Sequence, residues 1–304
     1  MWWWAWYITP IYYACSNGHT DIVQILLDND CDIHDAINGA CEGGYKDIVK
    51  ILIKHNVDIN QCGGYLNKIP IYSACLKGHT DIVQILLDNN CDIHDAIHGA
   101  CEGGYKDIVE ILIKHNVDIN QCGSFLLGRD FDGVSYCTPI VLACHNGRTY
   151  IVKLLLDNNC DVLENNGFSD ALHYACNGGF VDIVDLLLRN NCNINQCQPR
   201  TNQSPLITAC HRNKEAIAKL LLSYEACDVN IIDEDNCNAL HYACINGQSD
   251  VELLLKRHWN VYLNDKWMKA LLFIACENGH VDIVKMLINQ DNCMIDVLDV
   301  EGNS

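Results

Sequence analysis

Four residues are spaced as the ligands of a soft metal ion would be: Cys91, His94, His98 and Cys101, a Cys-x2-His-x3-His-x2-Cys run. Thiolate and imidazole are the donors that suit zinc, and four of them would close a tetrahedral site. His34-Asp35 and His94-Asp95 each set an imidazole beside a carboxylate, the pairing with which a hydrolase orients its base. The chain also holds 20 cysteines in 304 residues, a usage that in a short secreted chain reads as a disulfide framework. Recurrence weakens all three readings. Cys91 and Cys101 stand where cysteine recurs along the chain, and a near-identical earlier segment has Asn38 in place of His98. Each His-Asp pair precedes an Ala that opens an apolar helical pattern, so Asp35 and Asp95 read as helix caps. No G-x-x-x-x-G-K-[ST] phosphate loop occurs, and the Gly-Gly pairs read as helix stops. We therefore expect no catalytic residues, no metal, no cofactor and no enzyme activity.

The elements that would carry these residues are found by period. The dipeptide Ala-Cys recurs nine times, with its cysteine at 15, 41, 75, 101, 144, 176, 210, 244 and 276, at intervals of 26, 34, 26, 43, 32, 34, 34 and 32. Residues 11–62 match residues 71–122 at an offset of 60, differing only at 13, 16, 17, 30, 38 and 50 of the first copy. Most units open on a capping residue followed by Pro or Ala, at Thr9, Asp35, Asp95, Thr138, Asp170, Ser204 and Asn238. Ile69-Pro70 and Lys269-Ala270 lack the cap, so those helices are expected to fray more readily. Soon after each Ala-Cys comes a stop, at Gly18, Gly44, Gly78, Gly104, Gly147, Gly179, Gly247 and Gly279, with Asn213 in the remaining unit. A second helix follows, as in Asp21-Ile22-Val23-Gln24-Ile25-Leu26-Leu27, with an acidic residue in its first turn and a broad apolar face. Such a hairpin has more apolar surface than it can bury alone, and stacking is the natural solution.

Charge narrows the partners. The 39 acidic and 20 basic residues give a formal charge of -19, which repels phosphate backbones and favours basic partners. No apolar run approaches the roughly 18 residues of a membrane helix, so neither nucleic-acid binding nor membrane insertion is expected. The opening Met1-Trp2-Trp3-Trp4-Ala5-Trp6-Tyr7-Ile8 lacks a basic start and a cleavage site, and does not read as a signal peptide.

Gly279-His280-Val281-Asp282-Ile283-Val284, Ala239-Leu240-His241-Tyr242-Ala243-Cys244 and Asp228-Val229-Asn230 resemble the ankyrin repeat, and nine tandem matches extend the resemblance over essentially the whole chain. It implies an all-α solenoid of helix-turn-helix units with short β-turn fingers, in an intracellular, cytoplasmic setting. We expect one array over 1–304: duplicated paired units over 1–122, an extended finger loop over 123–137, and further units over 138–304. Both ends are abrupt, so the chain is expected to be a segment of a longer array. The 26-residue intervals leave no room for a finger, since Asp32-Ile33-His34 runs directly into Asp35-Ala36-Ile37 and the later copy does the same. The extra residues of the 43-residue interval read as a tolerated insertion, with a functional protrusion as the alternative. One residue of the usual second helix is missing between Val251 and Glu252, which turns the side chains that follow by about 100°.

Ankyrin proteins dock partners on their finger tips and first helices. Carried over by position, the expected contacts are Ser16 and Asn17, Leu76 and Lys77, His145 and Asn146, His211 and Arg212, Ile245 and Asn246, and Glu277 and Asn278. On the fingers they are Tyr65, Leu66 and Lys68, then Arg200, Thr201 and Gln203, then Glu234, Asp235 and Cys237. Leu76 and Ile245, read as exposed apolar groups beside a groove, are the expected anchors. The groove is expected to be broken near the N-terminus and fuller across 130–280. The array thus reads as a protein-interaction module; the alternative is a recruiting or tethering segment of a larger enzyme, ubiquitin-ligase adaptor or channel. Asn60, Asn120 and Asn230 fit the L-x5-D-[VI]-N pattern of asparagine hydroxylation, against a plainer role in bonding the finger backbone. The cysteines read as small buried filler, and so many free thiols suit a reducing compartment.

Overall fold

The computed structural model describes residues 9–64, 68–125, 135–162, 171–257 and 265–289, with the backbone alone at 124–125, 135–136 and 265–268. Its contacts gather into two compact units, Met1–Asp161 and Val162–Ser304. The first unit holds α1 (Pro10–Ser16), α2 (Thr20–Asp28), α3 (Ala36–Gly43), α4 (Lys46–Lys54), α5 (Pro70–Lys77), α6 (Thr80–Asp88), α7 (Ala96–Gly103) and α8 (Lys106–Lys114). It continues with β1 (Gly123–Phe125), β2 (Ser135–Cys137), α9 (Pro139–His145) and α10 (Thr149–Asp157). The second unit holds α11 (Ala171–Gly178), α12 (Val181–Arg189), α13 (Pro205–His211), α14 (Glu215–Leu222), α15 (Ala239–Asn246), α16 (Val251–Lys256), α17 (Asp265–Glu277) and α18 (Val281–Ile288). These are the expected nine helix pairs among the described residues. First helices pack on first helices, as α3 between α1 and α5, and second helices on second helices, as α4 on α6.

The helix stops behave as read. All eight glycines and Asn213 adopt positive φ, and past Gly18 the His19 N–H reaches the Ala14 carbonyl at 2.9 Å, which closes the end of α1. The caps divide. Thr9 and Ser204 accept from the N–H three residues on, at 3.4 and 3.2 Å. Asn238 and His241 cap each other reciprocally. Thr138 has the extended backbone of a cap, yet its hydroxyl makes no cap bond, and Asp170 lies outside the described residues. Asp35 and Asp95 are not caps, which corrects the expectation. Each sits at the cap position in the left-handed region, φ 64° and 62°, and its carboxylate makes no cap bond to the helix. With no finger between α2 and α3, one residue must reverse the chain, and Asp is among the few non-glycine residues that tolerate this conformation. Lys269 is a second correction: α17 starts four residues earlier, at Asp265, so Lys269 lies inside a helix.

The 26-residue spacing also explains the glycines of α3 and α7. A Cβ on Gly39 would stand 2.5 Å from the Tyr12 carbonyl oxygen, and one on Gly99 would stand 2.6 Å from that of Tyr72. Gly43 and Gly103 meet the Ser16 and Leu76 carbonyls as closely. Without a finger as spacer, neighbouring first helices touch backbone to backbone, and only glycine leaves room.

The missing residue before Glu252 does not turn the side chains that follow, which corrects the expectation: Val251 and Leu254 are buried three apart, as Val49 and Leu52 are in α4. The second helix of that pair shrinks to six residues, buries Val251 and Leu254, and leaves Leu253 exposed. Ser249 and Asp250 become a turn, and Asp250 is drawn fully inside, where Asp21 at the same place in the first pair is exposed.

Candidate partner-binding surface

In the first unit Tyr12 and Tyr72, each two residues before an Ala-Cys, link neighbouring pairs. The Tyr72 hydroxyl donates to Glu102 Oε2 at 2.6 Å, and Tyr12 makes the same bond to Glu42. Burial and the Glu102 bond push the Tyr72 hydroxyl well above its ordinary pKa. The finger over 63–68 closes through Gly63 N–H to the Lys68 carbonyl at 3.1 Å and the reverse bond at 3.2 Å. Lys68 then reaches Asp95 at 3.4 Å and lies 5.2 Å from the Tyr72 ring centroid. The Asp35 carboxylate, which the sequence sets beside His34, accepts from Gly64 N–H at 3.2 Å. Both His-Asp pairs thus hold a finger or its cation.

The zinc-like run is pulled apart by the fold. Cys91 and Cys101 are buried, His98 is fully buried with Nε2 3.0 Å from the Gln121 carbonyl oxygen, and His94 is exposed against the Gln121 side chain. Burial, ahead of every other influence, lowers the His98 pKa to about 4. Asn38 does the same work in the sister copy, donating to the Gln61 carbonyl at 3.1 Å. Among the described residues no three His, Cys, Asp or Glu side chains converge as a metal site.

Every described cysteine is a free thiol, and those of the Ala-Cys dipeptides are buried except Cys276. Cys276 and Cys62, both exposed, correct the filler reading: Cys62 lies in a finger segment, and among the described residues no further first helix covers that side of α17. Burial pushes the thiols up, to about 12 at Cys15 and Cys244, so they are poor nucleophiles.

The second unit carries the more open surface. Its fingers close through Gln198 N–H to the Gln203 carbonyl at 3.0 Å and Asp233 N–H to the Cys237 carbonyl at 2.8 Å. They join through Glu234 N–H to the Thr201 carbonyl at 3.1 Å. Asp233 is buried at the centre: Oδ1 accepts from Asp235 and Cys237 N–H groups at 3.1 and 2.8 Å, and Oδ2 from the Tyr242 hydroxyl at 2.6 Å. The Tyr242 ring stacks on His211 at 4.5 Å between centroids, and Gln203 Nε2 lies 3.2 Å from His211 Nδ1. Partial burial, then Arg212, lowers the His211 pKa.

Around this stack Arg212, Ile245, Glu234 and Asp235 are exposed, as are Arg200 and Thr201. Asn246 sits half-buried and donates to the Cys210 carbonyl at 2.8 Å. Glu277, the last residue of α17, and Asn278 just beyond it are exposed, with the Asn278 amide turned back to the Ile274 carbonyl. In the first unit Lys77 and Asn17 are exposed, Ser16 and His145 are half-buried, and Asn146 donates to its own helix at Leu142. Leu76 is half-buried rather than exposed, because its backbone packs against Gly99 and Gly103. Tyr65 and Leu66 lie outside the described residues. Tyr242 and Asp233 were not singled out by position, although the recurring Tyr before Ala-Cys, at 13, 174 and 242 in its several contexts, was there to be read.

Asn60 and Asn120 are partly engaged. Each side-chain oxygen accepts an N–H at 2.8 Å, from Asp92 and Asp161 respectively, at the end of the next pair. Asn195 does the same for Asp228. Asn230 is exposed.

A repeat pattern described as "Ankyrin repeats (3 copies)" matches residues 6–62, 37–123, 121–198 and 172–266, and "Ankyrin repeat" matches 268–297. The chain belongs to the ankyrin-repeat family. Among solved structures, the ankyrin repeat domain of human ASB11 superposes with a TM-score of 0.57 at 22% identity, over 71% of this chain and 97% of that one. Over 155 residues the ankyrin chain is 28% identical to the ankyrin repeat and KH domain-containing protein mask-1 of Caenorhabditis elegans, covering 50% of this chain and 6% of that protein. Over 99 residues it is 33% identical to a probable serine/threonine-protein kinase of Dictyostelium discoideum, covering 30% of this chain and 12% of that protein. The matched segments are thus a small part of both curated relatives. Ankyrin repeats are in general protein-interaction modules, and among the described residues no helix is long and apolar enough to cross a membrane.

Proposed function

We propose that this ankyrin array binds a protein partner through the finger and first-helix face of its second unit, around His211, Tyr242 and Ile245. The observation that carries this reading is the rigid stack of His211 on Tyr242, locked from below by buried Asp233 and flanked by exposed Ile245. Tyr242 is itself buried, so the face on offer is the exposed His211 ring that it holds in place beside the exposed Ile245 side chain, and a preorganised ring costs little entropy to dock upon. The exposed carboxylates of Glu234 and Asp235 and the charge of -19 favour a basic partner surface. Free thiols throughout suit a reducing compartment. The test is capture of partners by the full chain, mapped by crosslinking. Partners that contact 200–246 and are lost with Ile245→Asp, while Lys77→Glu retains them, support the reading. Retention with Ile245→Asp refutes it.

A second reading is favoured by the small share of each curated relative that is matched: the array recruits or tethers for an active domain elsewhere in a longer protein. Asn60, Asn120 and Asn230 stand in this proposal as hydroxylation sites, checked by mass spectrometry for one added oxygen at each.

A further inference from the structure

Two fingers of the first unit begin alike and close on different residues. Cys62-Gly63 and Cys122-Gly123 stand at the same place in the two copies, and the chain enters the next helix through Lys68-Ile69-Pro70 in one and Cys137-Thr138-Pro139 in the other. Gly63 bridges to Lys68, whereas Gly123 pairs with Cys137 at the end of the β1–β2 ladder. The longer finger therefore has a second thiol where the shorter has an amine. One step along the ladder from Gly123, the Cα atoms of Cys122 and Cys137 stand roughly 6 Å apart by strand spacing and rise, inside the span that a disulfide bridges. Cys122 lies just before β1, so the alternation of faces along that strand does not fix its side chain. His98 holds this neck from beneath. It is fully buried, its Nε2 lies 3.0 Å from the Gln121 carbonyl oxygen, and the Cys137 backbone is within hydrogen-bond reach of the same ring. Both cysteines are free thiols, Cys137 buried and Cys122 half-buried. Burial first, then Cys122, pushes the Cys137 thiol up to about 12, with Lys68 acting against both.

We propose that Cys122 and Cys137 form a reversible disulfide on exposure to a peroxide, a redox clasp across the neck of the extended finger. The half-buried Cys122 meets the oxidant first. Its thiolate attacks one peroxide oxygen; the S–O bond forms as the O–O bond breaks, and the departing hydroxide takes up a proton to give water. The Cys137 thiolate then attacks the Cys122 sulfur. The S–S bond forms, the S–O bond breaks, and the hydroxide released becomes a second water with the proton that Cys137 gave up. Two thiols thus lose two electrons to one peroxide. Cys137 is a poor nucleophile for a freely diffusing target, yet here the target lies beside it. Thiol reductants reopen the ring over 122–137, as suits a transient disulfide in a reducing compartment. The neck belongs to the first unit, so the proposal does not rest on the second-unit binding face.

The test exposes the reduced full chain to hydrogen peroxide, alkylates the remaining thiols and maps the peptides, since cleavage at Arg129 leaves the two cysteines on separate fragments. Each thiol meets the other at an effective concentration on the order of 1 mM, so at about 10 µM protein the internal link is expected to outrun links between chains by about a hundredfold. We expect a Cys122–Cys137 linked pair that dithiothreitol dissolves, a higher thermal midpoint in the oxidised chain, and loss of both with Cys122→Ser. Lys68→Cys is expected to create the same link at Cys62, because it gives the shorter neck its missing thiol. Cys122 and Cys137 left reduced while Cys62 or Cys276 is oxidised overturns the proposal. So does a link from Cys137 that persists with Cys122→Ser, or one found only between chains.

Discussion

The junction of α5 with α7 and that of α13 with α15 join the same kind of first helix by opposite means. In the former, 26 residues separate the two cysteines and Gly99 lets backbone meet backbone. In the latter, 34 residues supply a finger, and the position equivalent to Gly99 holds Tyr242, whose hydroxyl is anchored on Asp233 of that finger. Repeat length therefore dictates side-chain size at one position. A short repeat demands glycine and gives a closed face, while a long one admits an aromatic ring, buried against its finger, beside the residues proposed to bind a partner. The same subtraction removes the surface on which a ligand would rest.

The hardest test of this contrast is to put a side chain where the short junction has none. Gly99→Val is expected to lower the unfolding free energy by about 3 kcal/mol, since its Cβ meets a carbonyl rather than a yielding side chain. At the equivalent place on α13, Thr208→Val is expected to be neutral or stabilising, because the buried Thr208 hydroxyl has no partner. Equal losses in urea titration of the two variants would break the comparison. Asp233→Ala is expected to cost about 2–3 kcal/mol by stranding the Asp235 and Cys237 amides and the Tyr242 hydroxyl. Heteronuclear spectra should place the disturbance in 198–246.

Asp250 sharpens the comparison through pH. Burial, only partly offset by Lys219 at 3.7 Å, raises its carboxyl pKa from 3.8 to about 6. The folded protein therefore holds that proton more tightly than the unfolded chain does. Its stabilising effect is complete below pH 3.8 and is lost as pH rises through 6. Asp250→Asn is expected to gain about 2 kcal/mol on the wild type at pH 7.5 and little at pH 4, measured by denaturant titration at both. A gain independent of pH would remove the carboxylate from the explanation. The smallest effect is Lys46→Ala, expected to leave the urea midpoint essentially unchanged because both partners of its ion pair with Asp81 are exposed and screened by solvent.

The helical pairs and their stops were legible because nine positions per repeat class had to adopt one backbone shape, and Gly or Asn marked each of them. Asp35 and Asp95 misled because a capping residue and a left-handed corner draw on the same short polar side chains. Leu76 misled because position alone fixes which face a residue shares, and the glycines opposite it decide how much of that face remains. The Asp233–Tyr242–His211 assembly was not legible as a unit, since its members come from one finger and two helices. Only folding brings Gln203, Asp233 and His211 within reach of one another.

Tyr13, whose counterpart in the second copy is Ser73, bears on how the chain finds its own alignment. Residues 11–62 and 71–122 are so alike that either stretch could settle into the other's berth, a slip of sixty places that leaves nearly every contact satisfied. Asn38 and His98 do not prevent this, because both grip the same carbonyl in their respective copies. A phenol cannot enter the recess that closes over Ser73, which is sealed from solvent. One bulky ring thus acts as an index mark, letting a chain with two interchangeable stretches count from the correct end.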